Sequence, residues 1–424
     1  MQLTRRFFLR ASGALVAYLG VTPFDVLAEE APGSTPAPVT RGKTLVLVFL
    51  RGGTDGLNLV VPFSDPAYYK LRQSIAIPVP GAPGGAIDLD GAFGLHPKLK
   101  ALVPSFASGQ AVAVHAVGHD QNTRSHFEEQ DVWETGIIGN SIHSDGWVNR
   151  HLLTSTGHGP IRAVAVGDTL PRILHGKAAA YAISGVDDLT LPDGPTDRAT
   201  LAAALEHAYK ADPKAESGPA RDLLAQTGAA TLAGIDQLRG LVGQPYVPAV
   251  KYPETDLARR LREVARLVKG DVGLEVAELD YGGWDTHQNE GNADGPMGNL
   301  AQELADALAA FLGDLCDRMD DVLVLTLSDF GRTAAENGTR GTDHGWANCL
   351  FAFGGPVKKA AQGRKVLGTW PGLAPEMLHE GRDLQHTTDF RDAIAEAVRV
   401  HLGNPNLEKV LPGWTFKPVG IAAS

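Results

Sequence analysis

Unbroken apolar runs of strand length recur along the chain, with amphipathic helical stretches between them. Thr44–Leu50 is the first run, and Ala111–Val117, Ile161–Val166, Leu274–Leu279 and Val322–Leu327 follow. Runs without polar alternation suit strands covered on both faces, as in parallel sheets. Leu257, Leu261, Val264 and Val268 recur at helical spacing within Asp256–Lys269. Leu300, Leu304, Leu308, Phe311 and Leu315 do the same in the next segment, and Asp389 is placed to start a helix ahead of Ile394, Ala397 and Val398. Strand, helix, strand, helix predicts an α/β domain with a mainly parallel central sheet. From about residue 187 to 247 the pattern turns Ala/Leu-rich between Pro and Gly residues, which reads as a helical insertion. No internal repeat is apparent, and neither a Walker loop nor Rossmann glycine spacing follows the first strand.

The N-terminus follows another pattern. Thr4-Arg5-Arg6-Phe7-Phe8-Leu9-Arg10 precedes an apolar stretch, Ala11–Val21, and a small-residue exit at Val26-Leu27-Ala28. That is the layout of a removable signal peptide, and adjacent arginines before Phe-Phe-Leu resemble the twin-arginine type. The apolar run is too short and too rich in Gly and Ala to span about 30 Å of hydrocarbon. The expected organisation is a twin-arginine signal over residues 1–28, a flexible leader over 29–42 and a single α/β domain over 43–424. The expected route is the twin-arginine translocase, with the periplasm or extracellular space as destination. No later apolar stretch is long enough to span a membrane, so a mature chain without a stable membrane span is expected.

Charge and cysteine content narrow the classes further. The formal charge is -11, and losing a signal with three arginines and one aspartate makes the mature part more acidic still. Nucleic-acid binding, which calls for a basic face, is disfavoured. Cys316 and Cys349 are the only cysteines, and a chain this long needs no disulfide for stability. Cys316 falls in a helical pattern and Cys349 in an apolar run, so both are expected as buried small hydrophobes; a single bridge is the less favoured reading.

Open parallel sheets bind ligands beyond the carboxyl ends of their strands. Five polar clusters fall at or near such positions: Arg51–Asn58, His119–His126, Gly282–His287, Ser328–Thr333 and Gly341–Gly345. Each has a plainer reading. Asp55 between glycines suits a turn, Asp329 suits a helix cap, and Ser125 and Thr123 suit caps of the helix after them. Asp285 with His287, and His344 after Asp343, fit hydrogen-bonded loops as well as ligand pairs. Together, carboxylates and imidazoles beside a hydroxyl point to a divalent-metal hydrolase. Oxygen and nitrogen donors without thiolates suit Zn, Mn, Mg or Ca rather than a structural zinc site.

Arg-Gly-Gly-Thr-Asp-Gly-Leu-Asn-Leu-Val-Val-Pro (51–62), Thr-Arg-Ser-His-Phe (123–127), Gly-Gly-Trp-Asp-Thr-His (282–287), Leu-Ser-Asp-Phe-Gly-Arg-Thr (327–333) and Gly-Thr-Asp-His-Gly (341–345) resemble the exported domain of unknown function family 1501. The likeness runs from about Thr44 to His401. That family is grouped with the alkaline phosphatase and sulfatase superfamily, so the resemblance implies an alkaline-phosphatase-like α/β/α sandwich with a metal site at the carboxyl edge of its sheet. Carried over, Asp55 and Asp329 match one metal's carboxylates, and Asp285, His287 and His344 match the other's ligands. The nucleophile falls within Thr123–His126, with Ser125 first and Thr123 second.

The sequence departs from that pattern in three ways. Phe330 stands where the superfamily has a histidine, the Asp285–His287 spacing is short, and no formylglycine motif of Cys or Ser before Pro and Arg is found. The expected function is an exported metal-dependent hydrolase of phosphate or sulfate esters, with Arg51, Arg124, Arg332 and His126 near the substrate. The alternative is a non-catalytic relative that binds an envelope polymer or partner in assembly or secretion.

Overall fold

The computed structural model describes residues 41–139, 145–157, 161–189, 241 and 245–423. The expected twin-arginine signal, and nearly all of the expected helical insertion, lie outside the described residues.

A nine-stranded sheet forms the centre. Its strands are β1 (Thr44–Leu50), β2 (Ala111–Gly118), β3 (Ala163–Val166), β4 (Tyr181–Ile183), β5 (Val276–Tyr281), β6 (Val322–Ser328), β7 (Asn348–Phe353), β8 (Val366–Leu367) and β9 (Thr388–Asp389). They lie in the order β8-β2-β7-β6-β1-β5-β3-β4, with β9 also paired to β2. All pairings are parallel except those of β7, which runs antiparallel to both β2 and β6. A mainly parallel sheet is therefore present, as the unbroken apolar runs predict. Two runs are trimmed at the start: Ile161–Val166 pairs only from Ala163, and Leu274–Leu279 becomes Val276–Tyr281. In the sequence β7 shows only as an apolar run around Cys349, because six residues with no alternation do not reveal strand direction.

Every residue of β1 is buried, and its side chains alternate between two cores. Val46, Val48 and Leu50 face one core with helices α3 (Asp256–Lys269) and α4 (Pro296–Leu315). Leu45, Leu47 and Phe49 face the other with α1 (His126–Thr135), α2 (Trp147–Thr154) and α5 (Phe390–Glu396). The result is the expected α/β/α sandwich. Helix starts follow their capping residues: Thr255 accepts from Ala258 N, and Asp389 accepts from Arg391 N.

The cysteines correct one expectation. Both are free, and Cys349 is buried on β7, but Cys316 is exposed. Helix α4 ends at Leu315, and Cys316, just past it, has a positive φ of 52°. Among the described residues, no helix is long and apolar enough to cross a membrane.

Register decides where the loops meet. Leu50 lies opposite both Tyr281 and Ser328. The segments that start at Arg51, Gly282 and Asp329 therefore leave the sheet at one height. Strand β7 runs the other way, so the segment before Asn348, which contains His344, reaches the same edge.

Candidate metal centre

Three imidazoles and a carboxylate meet at this edge. Asp285 Oδ1 lies 3.0 Å from His287 Nε2, 3.2 Å from His344 Nε2 and 3.5 Å from His126 Nε2. The Nε2 atoms of His287 and His344 are 3.0 Å apart. Two donors on one tetrahedral ion at about 2.0–2.1 Å would be separated by roughly 3.3 Å, which the distances from Asp285 Oδ1 to the three rings match. His126, Asp285 and His344 lie mutually close enough to hold one ion, with His287 against Asp285 and His344.

The other ring nitrogens show why the Nε2 atoms are free to act as ligands. His126 Nδ1 lies 2.6 Å from Asp329 Oδ2, His287 Nδ1 lies 3.2 Å from Asp343 Oδ1, and His344 Nδ1 lies 2.8 Å from the Arg124 carbonyl oxygen. Each acceptor is an oxygen, so each Nδ1 donates, and in the neutral ring Nε2 then carries the lone pair. Oxygen partners of this kind are the usual outer support of metal-binding histidines. His126 Nε2 is buried without a hydrogen-bond partner. Lone pairs facing one carboxylate oxygen repel unless a cation or proton sits among them, so the residues fit a divalent ion.

Charge and packing hold the arrangement. Arg332 is 1 % exposed and donates to the carbonyls of Gly52, Gly53, Trp284 and Thr342 and to Asp285 Oδ1. Burial works against ionisation of Asp285, but the Arg332 guanidinium outweighs it and holds the carboxyl below its ordinary range. The hydrogen bond to Asp329 raises His126, whereas burial lowers His344. Asp329 Oδ2 also accepts from Gly52 N and Gln130 Nε2. Phe330 is buried under the rings, with its centroid 4.7 Å from that of His126 and 4.8 Å from that of His344. Gly52 has a φ of 117°, and a Cβ there would lie 2.7 Å from Asp285 N, so only glycine lets these loops approach.

The structure thus brings together Asp285, His287 and His344, joined by His126, which sequence reasoning had placed with the substrate. Asp329 stands behind His126 rather than beside Asp285. Asp55 does not join them: it is 1 % exposed and paired with Arg72 through both carboxylate oxygens. Burial opposes its ionisation, and Arg72 more than compensates, lowering its pKa. Thr123 donates its hydroxyl to Glu129, and Ser125 is the partly exposed residue preceding α1. None of the three arginines is open to an oxyanion as placed. Arg51 pairs with Glu134 and Asp280, Arg124 with Asp383 and Glu380, and Arg332 is spent on the loops. Sequence reasoning missed Arg72, Glu290 and Gln130 entirely. Asp343 carries no role in the sequence reading, though its place directly before His344 is a usable signal.

Residues 173–402 match the family described as "Protein of unknown function (DUF1501)". No curated protein matches the chain. Among solved structures, the chain is similar to the PsFucS1 sulfatase from Pseudoalteromonas sp., with 12 % identity and a TM-score of 0.33 over 77 % of this chain and 64 % of that one. It is also similar to the lipoteichoic acid synthase LtaP from Listeria monocytogenes, with 10 % identity and a TM-score of 0.31 over 90 % and 75 % of the two chains. The chain thus spans less than two thirds of the sulfatase's length. With the matched residues covering more than half of it, the chain belongs to the DUF1501 family of proteins of unknown function.

Proposed function

We propose that this protein is an exported, metal-dependent hydrolase of phosphate or sulfate esters. The observation that supports this most directly is the convergence of three imidazole Nε2 atoms on Asp285 Oδ1, each ring anchored through Nδ1 to an oxygen. His126, His287, His344 and Asp285 would hold one divalent ion. An imidazole-rich set suits Zn or Mn better than Mg or Ca, which prefer oxygen. Such an ion polarises an ester oxygen and stabilises the charge that develops on it.

The chain's own residues do the rest. Asp329 keeps the His126 proton on Nδ1 and orients the ring. Arg332 keeps Asp285 ionised and ties its loop to Gly52 and Thr342. Phe330 excludes water beneath the rings. Ser125, next to His126 and partly exposed, is the hydroxyl proposed to attack the ester or to orient water. Export is proposed from Arg5 and Arg6; the twin-arginine route carries folded proteins, so the ion would be loaded in the cytoplasm.

The test is metal analysis and an ester panel on the mature chain. About one tightly held divalent ion per chain is expected, with hydrolysis of p-nitrophenyl phosphate or sulfate that chelation abolishes. His344→Ala should lose both. Protein that folds without any affinity for divalent ions would rule the proposal out.

One observation favours a second reading, in which the site binds without turnover. The three arginines expected near the substrate, Arg51, Arg124 and Arg332, are all engaged by carboxylates or carbonyls. An ion bound stoichiometrically, with no hydrolysis of any ester tested, would select this binding role for an envelope polymer or partner.

A further inference from the structure

Behind the imidazoles lies a second polar group that touches no ligand atom. Glu290 is fully buried. Its Oε2 accepts the hydroxyl of Thr286 at 3.1 Å and that of Thr342 at 2.8 Å. Thr286 sits between Asp285 and His287, and Thr342 lies two residues before His344. One carboxyl oxygen therefore bridges the two segments that bear three of the four candidate ligands. The same segments meet through Thr342 N and the Thr286 carbonyl at 3.2 Å, and Glu290 N donates to the Arg340 carbonyl at 2.9 Å.

We propose that Glu290 is a positioning residue that sets cation affinity by holding the 285–287 and 342–344 segments at the spacing a single ion requires. The inference rests on the reading that these segments hold a divalent ion. Its physical basis is the asymmetry of the buried charges. Arg72 is the guanidinium facing two carboxyls, and it is taken by Asp55 at both oxygens. Glu290 contacts Asp55 and has no cation of its own; burial, then the neighbouring Asp55 charge, pushes it well above the ordinary carboxyl range. That direction favours sharing a proton with Asp55, while Oε2 accepts the two hydroxyls. Two Thr–OH bonds to one oxygen fix two loops with respect to each other, because neither threonine can move without leaving a buried hydroxyl unpaired.

Outer supports of this kind change metal affinity by about ten- to hundredfold when removed. The experiment measures Zn²⁺ affinity of the mature chain by competition with a chromophoric chelator, with Co²⁺ absorption as a report on geometry. Glu290→Gln keeps an oxygen for both threonines and a donor for Asp55, so wild-type affinity is expected. Thr286→Val with Thr342→Val removes the bridge and leaves the Asp55–Arg72 pair intact. It should fold with an unchanged melting temperature to within a few degrees, bind Zn²⁺ about ten- to hundredfold more weakly and shift the Co²⁺ bands. Wild-type affinity in the double valine variant would overturn the positioning role alone. Glu290→Gln binding as weakly as the double variant would overturn it too. A wild-type chain that binds neither ion would overturn this inference together with the metal-site reading.

Discussion

Replacing Arg72 tests the buried charge network directly. Arg72 is 0 % exposed and donates to both oxygens of Asp55, to Asn58 Oδ1, and to the carbonyls of Ala334 and Thr333. Arg72→Met fills similar length without a donor. Removing one partner of a buried ion pair costs about 3–5 kcal/mol, because the other charge is left in a dry interior. The orphaned carbonyls add to this, and water entering the site subtracts from it, so a loss of about 4 kcal/mol at pH 7 is expected. The penalty should depend on pH. In the wild type Arg72 depresses Asp55, so its contribution is present above the unfolded aspartate pKa and fades as pH falls below it. In Arg72→Met the strongest opponent of burial is gone and only Glu290 and Arg332 still favour the charged form, so Asp55 should rise and destabilise the variant most at neutral pH. The gap between the two proteins should therefore narrow from pH 7 toward pH 4. Urea titration followed by tryptophan fluorescence measures it, with Arg72→Met/Asp55→Asn as the control. The double variant should recover about 2 kcal/mol, since no unpaired charge remains. A single variant within 1 kcal/mol of wild type, or a double variant no better than the single, refutes the reasoning.

Three further outcomes are expected. Glu275 is held at about 2: burial would raise it, but His151 and Arg162 bind and lower it. Its contribution, about 3 kcal/mol over an ordinary glutamate, is present above pH 4.5 and lost as pH falls toward 2, so the urea midpoints of wild type and Glu275→Gln should converge over that range. Gly52→Ala should destabilise by about 1–3 kcal/mol and weaken Zn²⁺ binding, because the new Cβ displaces the Asp285 backbone; a variant with unchanged melting temperature and affinity contradicts the close approach. Asp329→Asn should leave the fold intact and weaken Zn²⁺ binding about tenfold, since an amide can present its NH₂ group to His126 and reverse which ring nitrogen holds the proton; chelator competition gives the answer.

The fold was legible wherever one physical signal dominated. Thr44–Leu50 and Asp256–Lys269 begin and end where their patterns say, because a two-sided apolar strand and a capped amphipathic helix each declare their limits. Asp389 announced its helix for the same reason. The antiparallel run of β7 was not legible, since direction comes from the partner and not from the strand. At the site, the family motif pointed to His344, and strand-end position to Asp285 and His287. It could not separate Asp55 from them, because the residue that takes Asp55 away, Arg72, lies in a segment with no motif. Nor could it show His126 turning inward, which depends on Asp329 arriving from another strand. Glu290 left no sequence signal, because its role is defined by two threonines that meet it from different loops.

The place of β1 has a consequence for biosynthesis. It is the first strand of the sheet to be made, yet it lies at the middle of the strand order and pairs with β5 and β6. Its neighbours are residues 276–281 and 322–328, so it waits for more than two hundred further residues before either edge is filled. Such distant pairing slows folding and defers it to the end of synthesis. The N-terminal segment therefore stays attached to an unfinished sheet until the loops of the candidate site exist. Under the proposed export of a folded chain, this strand would act as a timer: it is enclosed on both sides only after residue 328 has been made.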